Sequence, residues 1–201
     1  MKDTRHVAPE NFDLSRFAKA GDGPSDSSGL PPVHLWNPEF CGDLNMRIAV
    51  DGTWFYEGTP IGRKRMVKLF SRILRHDEDG KFYLVTPVEK VGLQVEDAPF
   101  VGVEMRIQGE GADQILQFRT NVDDWVSVDK DHPLRFEVDP VSDGLKPYVL
   151  VRARLEALIS RAVYYDLAAL GVEHNIDEET WFGVWSSGVF FKMALADDLA
   201  E

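Results

Sequence analysis

Cysteine and long apolar runs are scarce in this chain of 201 residues, and each scarcity excludes a class of protein. The one cysteine, Cys41, has no second thiol with which to form a disulfide, which is typical of cytoplasmic proteins and not of secreted ones. No stretch reaches the roughly 18 apolar residues that span a bilayer, and the polar N-terminus is unlike a secretory signal. We therefore expect a cytoplasmic protein that does not enter a membrane.

Basic residues are in the minority, with 22 lysines and arginines against 34 aspartates and glutamates and a net charge of −12. Such a charge repels nucleic acid polymers and anionic membrane surfaces, so neither is an expected partner. The cations are unevenly spread, because one short segment without any acid holds Arg63, Lys64, Arg65, Lys68, Arg72 and Arg75. A local cationic stripe can attract one small anionic ligand without attracting polymers.

Motifs for phosphate-loop, metal or nucleophile chemistry are also missing. The chain has no Walker loop and no Gly-x-Gly-x-x-Gly, and neither His34 nor Cys41 has a second ligand type at the spacing of a metal site. The many carboxylates show no spacing that singles out a catalytic pair. The sequence therefore predicts no metal or other cofactor, and an enzyme is the less favoured interpretation.

A short motif occurs twice. The octapeptide RMVKLFSR at residues 65–72 is matched by RLEALISR at residues 154–161, and RIAVD at 47–51 is matched by RFEVD at 135–139. The two offsets, 89 and 88 residues, are nearly equal. This pattern predicts two related halves, each a strand-then-helix unit. Chance similarity between two amphipathic helices is the alternative.

The local patterns predict an α+β fold with a duplicated strand-helix-strand core and mainly antiparallel sheets. Apolar residues at helical spacing after the Thr59-Pro60 cap predict a helix over residues 60–75. A second apolar stripe predicts a helix over residues 146–170. Alternating and β-branched segments predict strands at residues 47–50, 52–56, 82–86, 88–95, 100–107, 115–120, 125–128, 134–138, 181–185 and 189–193.

The chain is predicted to have three parts. Residues 1–29 contain a cluster of Gly, Ser, Asp and Pro and are predicted to be a flexible N-terminal arm with one short helical turn. Residues 30–98 form the N-terminal half, which is the first repeat. Residues 99–201 form the C-terminal half, which is the second repeat.

Basic residues beside the two predicted apolar stripes are the candidate ligand site. They are Arg65, Lys68 and Arg72 on the first helix and Arg154 and Arg161 on the second. Guanidinium groups that border a buried face can bind phosphate or carboxylate in a bidentate fork. The alternative is that they form ion pairs with the abundant acids. We predict that Arg72 and Arg161 face a groove between the halves and bind an anion together.

Two aromatic residues, Trp54 and Tyr56, immediately precede the first predicted helix. Strand alternation places both on one face. An aromatic face near arginines can stack a nucleobase, whereas burial in the core is the competing interpretation.

Several uninterrupted motifs are similar to one known family. They are residues 31–38 (PPVHLWNP), 41–42 (CG), 46–48 (MRI), 51–61 (DGTWFYEGTPI) and 152–158 (RARLEAL). They resemble the proteobacterial domain-of-unknown-function family numbered twelve eighty-five, over roughly residues 30–193. The resemblance implies a duplicated core, a C-terminal half superficially like pleckstrin-homology folds, and a ligand site where the halves meet. A nucleotide-like ligand and a role in signal transduction are what the resemblance suggests.

The leading hypothesis is a cytoplasmic ligand-binding or signal-transduction module that holds an anionic, nucleotide-like ligand at the interface of its two halves. One alternative is a small hydrolase or transferase acting at the same cleft. Another is a protein-interaction adaptor whose basic helix docks an acidic signalling partner.

Overall fold

The computed structural model describes residues 14–22, 29–140 and 142–199 and is mainly β. The chain divides into two compact units, Met1–Asp97 and Ala98–Glu201. Within the segment predicted as a flexible arm, helix α1 occupies Leu14–Gly21 and buries Phe17 completely. The rest of that predicted arm, apart from Asp22 and Gly29, lies outside the described residues.

The N-terminal unit continues with six strands and one further helix. In chain order these elements are β1 (Phe40–Ile48), β2 (Trp54–Tyr56), β3 (Thr59–Pro60), α2 (Lys64–Arg72), β4 (Leu74–His76), β5 (Phe82–Val85) and β6 (Lys90–Val95). The strands form one sheet, sheet A, in the order β3-β2-β1-β6-β5-β4. Neighbouring strands are antiparallel except for the central pair, β1 with β6, which is parallel.

The core of the N-terminal unit follows from the alternation in β1. Leu44, Met46 and Ile48 are buried, whereas the intervening Asp43 and Asn45 are exposed. Period-two burial of this kind gives a strand with one core face and one polar face. One face of sheet A therefore carries the apolar core of this unit.

The C-terminal unit contains nine strands and one helix among its described residues. They are β7 (Phe100–Gln108), β8 (Ile115–Thr120), β9 (Trp125–Ser127), β10 (Leu134–Val138), β11 (Leu145–Arg152), β12 (Leu155–Ile159), α3 (Arg161–Ala168), β13 (Val172–Ile176), β14 (Glu179–Ser186) and β15 (Val189–Leu195). Sheet B has the order β10-β11-β12-β7-β8-β9, and sheet C is the antiparallel meander β13-β14-β15. Buried Ser186 links sheet C to sheet B, since its hydroxyl donates to Val128 O and accepts from Leu116 N–H.

Sheets A and B have the same strand order. In each, two three-stranded antiparallel meanders meet at one parallel pair, formed by the first strand of the first meander and the last strand of the second. β1 thus corresponds to β7, and β6 to β12. The predicted equivalence of residues 65–72 with residues 154–161, at an offset of 89, is wrong, and so is the related offset of 88. Residues 65–72 fall on α2, whereas residues 155–159 form β12. The halves share a topology in a different register from the repeated motif.

The two long helices predicted from apolar stripes are both corrected by the structure. The first spans Lys64–Arg72 and not residues 60–75, because Thr59 and Pro60 pair with β2 as strand β3. Most of the second is β11 and β12, and only α3 is helical. Branched and aliphatic residues at residues 146–170 fit strand alternation as well as helical spacing, and pairing with neighbouring strands decides between them. The fold is therefore mostly β with few helices.

The predicted hairpin near the C-terminus is confirmed. β14 and β15 pair in antiparallel register from Ser186↔Val189 to Trp181↔Leu195. The connecting residues Ser187 and Gly188 have φ values of 51° and 73°, as in the mirror-image turns that match the twist of a hairpin. This turn sets the register of sheet C.

Gly183 in β14 supplies a stability prediction. A Cβ atom there would lie 2.3 Å from Phe191 O and 2.7 Å from the Phe190 ring, so backbone must move to admit it. We expect Gly183→Ala to lower the free energy of unfolding by about 1–3 kcal/mol. Gly144→Ala is the control, since its nearest atom is the Ser142 hydroxyl, a side-chain atom, at 3.3 Å. Urea denaturation that gives equal midpoints for the two variants would contradict this account.

Candidate functional site

Exposed cations cluster at the start of α2. We call this surface the basic face of α2 and define it as Arg63, Lys64, Arg65 and Lys68, all exposed. At 100° per residue, the three helical members lie within about 100° of one another. Phe70, on the opposite side of the helix, is fully buried. The apolar face of α2 thus packs inward and turns its cations to solvent.

Among the described residues, the N-terminus of α2 carries little negative charge. Arg63 occupies the N-cap position without a side-chain hydrogen bond, and the first turn contains no acidic residue. Arg65 lies 3.9 Å from Asp22, but the two side chains are 85% and 67% exposed, so this ion pair contributes little. Cations beside the positive end of a helix dipole are unfavourable, and a bound anion offsets that cost.

Two further arginines of the basic segment are engaged within the unit. The Nη2 group of Arg72 donates to Gly29 O at 2.8 Å. Arg75 lies on β4, where its guanidinium holds Asp77 in a bidentate pair and donates to two backbone carbonyl oxygens, those of Val33 and Trp36. Arg75 therefore stabilises the N-terminal unit, in agreement with the alternative that the basic residues form ion pairs.

The two candidate aromatic residues occupy different environments. Trp54 is 1% exposed and stacks on Phe70 with a centroid separation of 6.2 Å, so its ring is part of the core. Its indole N–H is buried without an acceptor among the described residues. Tyr56 is half-buried, and burial together with the adjacent Glu57 raises the pKa of its hydroxyl. The predicted aromatic face beside the arginines is therefore reduced to Tyr56.

Arg154 and Arg161 belong to the C-terminal unit and are not on one helix. Arg154 is exposed in the turn between β11 and β12, next to Ala153, whose φ is 45°. Arg161 is the first residue of α3 and donates to the Tyr165 hydroxyl from Nε and Nη2, at 3.2 and 3.1 Å. That these two residues share a ligand with the cations of α2 stays a prediction.

A cavity that the sequence did not reveal lies in the N-terminal unit, at the register shift between β1 and β6. Its volume is about 660 Å³, and it is lined by Asp43, Leu44, Asn45, Met46, Gly80, Lys81, Phe82, Gly92, Leu93, Gln94, Val95 and Glu96. We call it the β1–β6 cleft. None of the residues proposed from the sequence lines it. The only sequence signal was polar residues alternating with apolar ones along β1, which every half-buried strand shows.

Two further observations concern metals and membranes. Within residues 14–22, 29–140 and 142–199, no three of the His, Cys, Asp and Glu side chains are grouped as a metal site requires. In the same part of the chain, no helix is long and apolar enough to cross a membrane.

Comparison with known proteins matches both units to one family. Residues 31–98 match the model described as domain of unknown function (DUF1285), N-terminal domain, and residues 99–193 match that of the C-terminal domain. The crystal structure of a DUF1285 family protein from Silicibacter pomeroyi DSS-3 is 50% identical, with a TM-score of 0.83 over 94% of this chain and 98% of that one. A DUF1285 family protein from Shewanella baltica OS155 is 27% identical, with a TM-score of 0.49 over 63% of this chain and 91% of that one. No curated protein matches the chain.

Proposed function

Because this chain belongs to the DUF1285 family, whose two domains are described as of unknown function, we propose its function from its own surface: it is a module that binds an anionic, phosphate-bearing ligand. One observation carries the proposal. The basic face of α2 surrounds an uncapped helix N-terminus in a chain whose net charge is −12. A nucleotide-like ligand of this kind suits a role in signal transduction.

The free-energy argument rests on the positive charge in the first turn of α2. Lys64 and Arg65 lie in the first turn of α2, where the helix dipole already favours negative charge. A phosphate accepts hydrogen bonds both from first-turn N–H groups and from these side chains. Each charge-assisted contact is worth on the order of 1.5–3 kcal/mol when partly desolvated. Two or three such contacts give an affinity in the micromolar to millimolar range.

Burial of Trp54 shapes the expected specificity. Since its ring lies in the core, it offers no stacking face for a base. The contacts that remain are to phosphate, so affinity should follow the number of phosphates more than the identity of the base. We therefore expect pyrophosphate and ATP to bind more tightly than inorganic phosphate and adenosine.

The first experiment removes charge from the basic face of α2. We expect the double variant Lys64→Gln with Arg65→Gln to weaken pyrophosphate and ATP binding at least tenfold at low ionic strength, as measured by isothermal titration calorimetry. Both side chains are exposed, so circular dichroism and the melting temperature should stay unchanged.

The control removes the same charge elsewhere. Arg106→Gln with Lys130→Gln changes two exposed cations of the C-terminal unit and should leave the affinity within about twofold. Equal weakening in both double variants would mean that only net charge matters and would overturn the proposal.

An acidic protein segment is the second candidate ligand, and the exposure of Arg65 favours it because an open surface admits a polymer. A poly-glutamate peptide that binds the wild type and not the α2 variant, while pyrophosphate and ATP bind neither, would establish this adaptor interpretation. Binding of pyrophosphate or ATP to the wild type alone supports the small phosphate-bearing ligand.

A further inference from the structure

The central strand pairs of sheets A and B differ in regularity although the two sheets share one topology. In sheet B, β12 and β7 pair without interruption over Ala157↔Phe100, Leu158↔Val101 and Ile159↔Gly102. In sheet A, the β1–β6 register shifts twice. The shared strand order does not require this irregularity. Bulges beside functional sites are retained features of sheets, which directs attention to this pair.

The larger shift is a bulge in β1. Between the pairs Asp43↔Gly92 and Arg47↔Gln94, β1 advances four residues while β6 advances two. The extra length of β1 leaves the ladder there, and the β1–β6 cleft lies at that position. Its volume of about 660 Å³ is within the roughly 300–1,000 Å³ of small-molecule sites. The cleft also lies at the parallel pair β1 and β6, where the two meanders of sheet A meet. In sheets of this kind, ligand-binding crevices form where the chain continues from two neighbouring strands in opposite directions.

Four polar side chains of the β1–β6 cleft are available to a ligand. Asp43, Asn45, Lys81 and Gln94 are exposed, and none of these side chains makes a hydrogen bond or ion pair to another described residue. Glu96, by contrast, is held by an ion pair with Arg47 and by the Val50 N–H at 3.1 Å. The cleft thus presents one carboxylate, one ammonium and two amides to a ligand.

The absence of a side chain at Gly92 shapes this arrangement. A Cβ atom at Gly92 would lie 2.0 Å from Asp43 Oδ1, so the carboxylate occupies the space that any other residue would fill. The apolar lining residues alternate with the polar ones along their strands, so their side chains lie on the core face of sheet A; they are Leu44, Met46, Phe82, Leu93 and Val95. A ligand on the polar face therefore meets charge at two positions, with the bare backbone of Gly92 beside Asp43.

We propose that the β1–β6 cleft binds a small zwitterionic molecule of dipeptide-like chemistry, with its ammonium on Asp43 and its carboxylate on Lys81. A ligand with a net charge would leave either the Asp43 carboxylate or the Lys81 ammonium without an opposite charge. Removing that unpaired charge from water is unfavourable. Asp43 pairs with Gly92 and Lys81 lies level with Gln94, so their backbone positions are two strand spacings apart across the sheet and two residues apart along it, about 12 Å. A dipeptide, at about 3.5 Å per residue, spans most of that distance, whereas a free α-amino acid does not.

The test uses Ala-Ala with its two end-blocked forms, acetyl-Ala-Ala and Ala-Ala-amide, in calorimetric titrations of the full chain. We expect Ala-Ala to bind and each blocked form to bind at least tenfold more weakly. Asp43→Asn should bind acetyl-Ala-Ala and Ala-Ala equally well but still prefer Ala-Ala to Ala-Ala-amide. Lys81→Met should bind Ala-Ala-amide and Ala-Ala equally well but still prefer Ala-Ala to acetyl-Ala-Ala. Equal binding of all three peptides, or no Ala-Ala binding at millimolar concentration, would overturn the proposal.

Matched variants separate this site from general effects and from the basic face of α2. Asp113→Asn and Lys130→Met remove the same groups from exposed positions of the C-terminal unit and should leave Ala-Ala binding unchanged. Gly92→Ala displaces the Asp43 carboxylate without removing it and should weaken Ala-Ala binding at least fivefold. The variant Lys64→Gln with Arg65→Gln should bind Ala-Ala as the wild type does. The assignment of the cleft would be contradicted if the Lys64→Gln, Arg65→Gln variant lost Ala-Ala binding, or if Gly92→Ala bound Ala-Ala with the affinity of the wild type.

Discussion

Replacing Phe70 with Ala is expected to lower the free energy of unfolding of the N-terminal unit by about 3–5 kcal/mol. Phe70 is fully buried, and its ring stacks on Trp54 between α2 and sheet A. Truncation removes this contact and leaves a cavity that the packed surroundings fill only in part. Hydrogen exchange of peptides from residues 40–95 is the suitable measurement, because two units need not unfold as one transition.

Phe40→Ala provides the matched control. Phe40 belongs to the same unit and contacts the Tyr83 ring edge-on at 5.9 Å, but it is 45% exposed. Its truncation should cost about 1 kcal/mol, since nearly half of the residue already meets solvent. A loss of protection as large as that of Phe70→Ala would show that the α2 contact is not central to the core.

Replacing Arg75 with Met is expected to destabilise the same unit by about 2–4 kcal/mol. The guanidinium contacts Asp77 at 2.5 and 3.0 Å and donates to Val33 O and Trp36 O at 3.0 and 2.6 Å. Its loss leaves a half-buried carboxylate with Lys90 as its remaining cation, and two carbonyls without their donor. Arg75→Lys should recover only part of the loss, because an ammonium cannot reproduce the planar fork.

The Arg75–Asp77 pair also predicts how stability depends on pH. Burial alone raises the pKa of the Asp77 carboxyl, but hydrogen bonds and charge from Arg75 and Lys90 outweigh burial and hold that pKa below its ordinary value. The pair therefore stabilises the unit fully above pH about 4, and this contribution is lost as pH falls through the lowered pKa. In Arg75→Met the lowering is reduced, so the free energy of unfolding should fall less steeply as pH drops below about 4. Identical acid profiles for the two proteins would contradict this role of Arg75.

Strands were predictable where burial alternates and turns are strongly signalled. The hairpin around Asp51-Gly52 forms as expected, with Gly52 at a φ of 79°. The long second helix was not predictable, because apolar residues such as Val151 and Leu155 satisfy both helical and strand spacing. A partner strand distant in sequence resolves that ambiguity, as the pair Leu158↔Val101 does here. Local pattern alone carries no information about such partners.

The repeated octapeptide correctly indicated two related halves, but it aligned the wrong residues of the two halves with each other. The halves do share a strand order, yet serine and arginine at residues 71–72 end α2, whereas those at residues 160–161 begin α3. The likeness of the C-terminal half to pleckstrin-homology folds stays a prediction. The β1–β6 cleft was beyond the reach of the sequence, because it arises from a register shift, which is a property of two strands together.

The parallel central pairs have a consequence for synthesis of the chain. Phe40 pairs with Lys90, fifty positions later, so the middle strand of sheet A has no partner on one side until β6 has left the ribosome. At roughly 5–20 residues per second, that interval is about 3–10 s. The same delay occurs in sheet B, since Phe100 pairs with Ala157, which is synthesised 57 residues later. Each half thus closes late around its first strand, and an exposed β1 or β7 edge in that interval is the point at which a nascent chain is most open to chaperones or to mispairing.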